Sequence, residues 1–112
     1  MALFWALLVA LLSAAYAVVN VFGAWLVSRR KPWVAGLFMA AALTLAVAAA
    51  AFVSAIPYNR PILALGLVGA SLASLVNARV VIGRVVWRNH LLRALFALGL
   101  YALAELTVRY PL

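Results

Sequence analysis

No charged side chain falls between Ala2 and Val27 or between Pro32 and Ile56, and only Ser28-Arg29-Arg30-Lys31 separates the two runs. A helix rises 1.5 Å per residue, so about 20 residues cross a ~30 Å hydrocarbon layer. Both runs exceed that length. A soluble domain needs a polar skin, and average usage is roughly 25% charged residues. Here 9% of residues are charged and 71% are hydrophobic, with a mean hydropathy of +1.24. The solvent implied for most of this surface is lipid.

The breaks divide the chain into four expected spans, at about 3–27, 33–56, 62–86 and 91–108. Pro57-Tyr58-Asn59-Arg60-Pro61 separates the second from the third, since each proline disfavours helix in the residue before it. The third run is free of charge from Ile62 to Ala78 and reaches full length only by passing Arg79. The fourth has a short uncharged part, Ala94–Ala104. It spans only if Arg93 snorkels to one interface and Glu105 lies near the other. The expected fold is an all-α integral membrane protein, with four transmembrane helices forming two hairpins in an up-down bundle. The first run carries an Ala15-Tyr16-Ala17 pattern resembling a signal-peptidase site, but it lacks a positive n-region. Cleavage there would leave too few apolar residues to span, so an uncleaved first helix is expected.

Nine Lys and Arg stand against one acid, giving a net charge of +8. Seven of the nine cluster in two places: Arg29, Arg30 and Lys31 in the first loop, and Arg79, Arg84, Arg88 and Arg93 around the third. With four spans these loops share a side, and the positive-inside rule places them in the cytoplasm with both termini outside. Trp25, Trp33 and Trp87 then mark the cytoplasmic interface, and Trp5, Tyr58 and Tyr110 the outer one. The expected location is a multi-pass cell membrane.

The arginines of the third region are spaced 5, 4 and 5 apart across the end of one helix and the start of the next, with no acid nearby. A voltage sensor needs arginines through the membrane thickness and counter-charges within the bundle. The reading favoured is a cytoplasmic collar facing anionic lipid headgroups, joined by Arg29, Arg30 and Lys31. Arg84 and Arg88, at i and i+4, are expected to share a helical face and clamp one headgroup. Nucleic acid is excluded as a partner, because no soluble domain presents a groove or basic face.

Lipid offers no hydrophobic drive for helix association, so small residues and buried polar groups must supply it. The third helix offers Gly66, Gly69, Ala70, Ala73 and Asn77 along one stripe. The first offers Ser13, Tyr16, Asn20 and Gly23 at spacings of 3, 4 and 3. Asn20 and Asn77 both fall roughly 13–15 Å inside the cytoplasmic edge. They are expected to face the bundle interior at similar depth, bonding either each other or backbone, with each one's own i−4 carbonyl as the plain alternative.

The chemistry available is sparse. Without cysteine there are no disulfides, thiolate metal sites or cysteine nucleophiles. Glu105, the only acid, stands four residues before Arg109, the favourable order for a helical ion pair. Small proton-coupled multidrug exporters share this length and helix number, but need a carboxylate deep in the first helix, where this chain has none. His90 is the only histidine and reads as a polar loop residue. No metal, cofactor or enzyme activity is expected.

Two classes remain: a non-catalytic accessory or assembly subunit of a larger membrane complex, and a small homo-oligomeric channel, holin-like pore or transporter. A pore needs a polar lining, and Ser13, Asn20, Ser71 and Asn77 supply little, so a protein partner in the membrane is favoured. The segment SLASLVNARVVIGRVVWR, 71–88, resembles in its Leu/Val/Arg composition the third helix of small accessory subunits of rotary ATP synthases. That likeness assigns no family.

Overall fold

The computed structural model describes residues 2–54 and 56–109, with backbone alone for Ala2 and for 107–109. The chain folds into four helices: α1 (Ala2–Val27), α2 (Pro32–Val53), α3 (Asn59–Asn77) and α4 (Trp87–Arg109). A π-helical turn, Ala78–Ile82, extends α3. Among the described residues, three segments are long and apolar enough to cross a membrane: Leu3–Val27, Pro32–Val53 and Asn59–Ile82, with mean hydropathies of 2.1, 2.3 and 1.8. At 23 residues α4 matches them in length, but it carries Arg88, His90, Arg93 and Glu105. The molecule is 47 Å along its long axis, close to the ~40–45 Å of a bilayer with its headgroup regions.

The helix limits differ from those read in the sequence. Pro32 occupies the first turn of α2, where its missing N–H has no intrahelical partner to lose. The α2 helix stops at Val53 rather than Ile56, and Tyr58 adopts a left-handed conformation (φ 69°) that turns the chain. Asn59 then starts α3, three residues earlier than expected, because Pro61 also falls within a first helical turn and is tolerated there.

At the other end, the expected third span of 62–86 is cut short. The Gly83 N–H donates to the Ala78 carbonyl at 2.9 Å, closing the wide turn, and Gly83 lies at φ +89°, where side chains are strained. Helical structure resumes at Trp87, four residues before the expected Leu91.

The packing follows from α2, whose buried residues Val34, Phe38, Ala41, Leu45, Ala48 and Phe52 recur at spacings of 4, 3, 4, 3 and 4. That is the seam of two-helix knobs-into-holes packing. It meets α1 on one side and α3 on the other, while α4 packs less extensively on α1 and α3 and closes the ring. Small residues set the spacing: the Gly66 Cα lies against Leu45, Gly69 against Ala41 and Gly23 against the Phe38 ring. Ala70 and Ala73 are fully buried.

One core cluster joins Ala24, Val27, Val34, Phe38 and Ala73, with Val76 and Val81 against it. The first loop and the π turn therefore share one end of the bundle. Leu91, Leu92, Leu95 and Leu98 of α4 are all more than half exposed, an outward apolar surface suited to lipid.

Candidate functional site

The end shared by the first loop and the π turn gathers most of the chain's charge. Arg29, Arg30, Lys31, Arg79, Arg84 and Arg88 are all exposed there, ringed by exposed Trp25, Trp33 and Trp87. Arg84 and Arg88 do not share a helical face. Arg84 lies in the turn after Gly83 and Arg88 in the first turn of α4, so the helical i, i+4 geometry expected of them does not form.

Arg93 behaves differently from the rest. It is half-buried, and its Nη1 donates to the Tyr16 hydroxyl at 2.9 Å. Its guanidinium carbon stands 5.7 Å from the centre of the Tyr16 ring. Phe96, one turn along α4, meets the same ring edge-on at 5.0 Å. Six residues separate Arg93 from the start of α4, about 9 Å along the axis. The cation thus points into the α1–α4 interface. The snorkelling expected of Arg93 would carry it outward; a tyrosine offering both an acceptor oxygen and a π face was the available signal for the inward alternative.

Beside Arg93, at the junction of α3, the π turn and α4, lies a cavity of about 300 Å³. Ser74, Asn77, Arg84, Asn89, His90 and Arg93 give it a polar and cationic wall. Arg93 also lines a second, apolar recess of about 440 Å³ between α1 and α4, formed with Leu12, Ala15, Tyr16, Val19, Leu92 and Phe96.

The two amides do not bond each other among the described hydrogen bonds. Asn20, fully buried, donates from Nδ2 to the Tyr16 carbonyl at 2.8 Å, the i−4 partner on its own helix. Asn20 Oδ1, Asn77 Oδ1 and Ser13 Oγ are buried without a hydrogen-bond partner. An orphaned buried acceptor is costly, whereas an apolar side chain of similar shape is not. Asn20→Leu is therefore expected to raise the stability of the bundle by about 1 kcal/mol, read as a higher midpoint of denaturant unfolding in micelles. A fall of that size would mean that Asn20 Oδ1 has a partner in the membrane.

Glu105 lies at the opposite end. Its Oε1 accepts from Arg60 Nη1 at 2.8 Å, tying the start of α3 to α4, with both side chains about one-third exposed. Pairs this exposed contribute ~0–1 kcal/mol. The expected Glu105–Arg109 pair involves a side chain outside the described residues. The sequence did contain the signal for Arg60: in an up-down bundle the second loop and the end of α4 meet, and Arg60 is the only cation in that loop. No family model, curated protein or solved structure matches the chain.

Proposed function

We propose that this chain is a four-span integral membrane protein of the cell membrane, with its cationic end in the cytoplasm. There it serves as a non-catalytic accessory or assembly subunit of a larger membrane complex. The observation that carries this reading is the filled interior: Val9, Val34, Leu45, Leu63 and Leu100 are all fully buried along the length of the bundle. The one carboxylate is engaged by Arg60 at a peripheral position, which argues against proton exchange with a cationic solute. A pore between copies would need polar outward faces. Those of α1, by contrast, present Leu7, Leu11, Val18, Phe22 and Leu26. The exposed hydroxyl of Thr44 on α2 is turned back to the Ala40 carbonyl.

Placement of the fourth span and the orientation follow from charge. Both cationic turns occupy one end, and Lys and Arg next to a span are retained on the cytoplasmic side, where anionic headgroups also attract them. The chain has no cysteine, so single substitutions report directly. Lys31→Cys and Asn89→Cys are expected to react with an impermeant maleimide only after the membrane is opened, and Tyr58→Cys in intact cells. Lys31 and Asn89 on opposite sides would overturn the topology. Purification in mild detergent is expected to bring down a larger partner in fixed ratio. A pure homo-oligomer that conducts solute in liposomes would overturn the subunit reading.

A further inference from the structure

The geometry points to a built-in site for one anionic phospholipid, with its phosphate held at Arg93 and Arg84 and an acyl chain laid in the recess between α1 and α4. The inference rests on the membrane placement proposed above and is independent of the partner.

Three observations converge on it. First, Arg93 is a half-buried cation inside the helix bundle whose described partner is a neutral hydroxyl. The only acidic side chain in the protein is at the far end with Arg60. A guanidinium has five donors and suits a phosphate bidentately. Most of Arg93's donors remain for a ligand, and the Tyr16 hydroxyl, having accepted from Arg93, keeps its own proton to donate.

Second, the cavity beside Arg93 supplies what a headgroup needs. Arg84 and His90 add donors, and Asn77 Oδ1 is a buried acceptor with no partner. An orphaned acceptor beside cations calls for a ligand carrying both negative charge and an O–H donor. A glycerol-phosphate headgroup has both. Third, Arg93 also lines the apolar recess, where Leu12, Ala15, Val19, Leu92 and Phe96 expose hydrocarbon. A free phosphate would leave that recess unused; an acyl chain fills it. Arg29 of the first loop also lines a recess, of about 320 Å³ with Trp25, Leu26 and Ser28, but none of the described unpartnered polar atoms faces it.

Native mass spectrometry of the intact chain, titrated with dioleoyl phosphatidylglycerol, tests the site. One molecule is expected to be retained per chain, about tenfold in preference to dioleoyl phosphatidylcholine, the size of one charge-assisted hydrogen bond. Arg93→Gln is expected to abolish the preference. So is Ala15→Trp, which fills the recess from an exposed position and leaves every cation in place. The pair Arg29→Gln with Arg30→Gln is expected to leave it unchanged.

Preference that survives Arg93→Gln or Ala15→Trp, or that vanishes with the Arg29/Arg30 pair, overturns the site. Glycerol 3-phosphate, a headgroup without chains, is expected not to displace the lipid; displacement at equal concentration would make this a site for a free phosphate ester instead. Should Arg93→Gln fail to fold, Ala15→Trp and Asn77→Leu carry the same readout. A labelling pattern that supports the topology, together with no retained lipid, sinks this site alone.

Discussion

Gly66→Val is expected to destabilise the folded bundle by about 3 kcal/mol, at the upper end of the usual cost of overpacking. A Cβ at Gly66 would stand 2.9 Å from Leu45 Cδ2, 3.0 Å from its Cγ and 3.2 Å from its backbone nitrogen. A leucine methyl moves readily to another rotamer. The backbone of α2 does not, and α3 must then step away from it. Valine adds two methyl groups to that Cβ, and its stiff χ1 leaves them little choice of direction. The matched control is Gly69→Ala, whose new Cβ would sit 3.6 Å from the Ala41 methyl, an ordinary contact. It is expected to be neutral or stabilising by up to ~1 kcal/mol, since alanine is the better helix former. Unfolding midpoints in mixed micelles compare the two, and an equal loss for both would show that the α2–α3 spacing is wrong.

Leu45→Ala is expected to cost about 2 kcal/mol, toward the lower edge of the range for buried leucines in water-soluble proteins. The reason for the lower figure lies in the solvent. In the bilayer placement proposed above, an α2 separated from its neighbours turns Leu45 toward lipid tails, so no transfer from water is involved. What remains is the dispersion attraction that a void cannot return, and Leu45 is fully buried among α1, α2 and α3 neighbours. Leu43, two residues earlier and 62% exposed, supplies the comparison: Leu43→Ala is expected within about ±0.5 kcal/mol. The double variant Leu45→Ala with Gly66→Ala is expected to be more stable than the sum of the single changes predicts, by about 1 kcal/mol, because the new methyl enters the vacated volume. Strict additivity would mean that the two residues do not touch.

The helices of this fold were legible in the sequence because lipid imposes a length rule on uncharged runs, and Ala2–Val27 and Pro32–Val53 obey it plainly. Their limits were less legible where a local signal has two uses. Pro61 reads as a breaker along the bare chain, yet it sits within the first turn of α3, where proline costs nothing. Gly83 is easily passed over inside an apolar stretch, although its positive φ is what ends the helix and separates Arg84 from Arg88.

At the candidate site, periodicity marked Tyr16 and Asn20 as one face of α1, since 3.6-residue spacing depends on a single helix. It could not assign Arg93 to Tyr16. That contact depends on the rotation of α4 about its own axis, and the apolar residues of α4 surround it, with Leu100 buried and Leu91, Leu92, Leu95 and Leu98 exposed. The Arg60–Glu105 pair was missed in favour of Arg109, although alternating helices bring Arg60 and Glu105 to one end.

Limited packing of α4 on its neighbours carries a consequence for biosynthesis. Helices α1, α2 and α3 pack more extensively on one another than any of them does on α4. A ribosome releases the amino-terminal part first, so those three helices are free to lock together while the remainder is still being translated. The nascent last helix then meets a surface that already carries Tyr16 and Arg60, and adds Leu100 and Ala104 to the core.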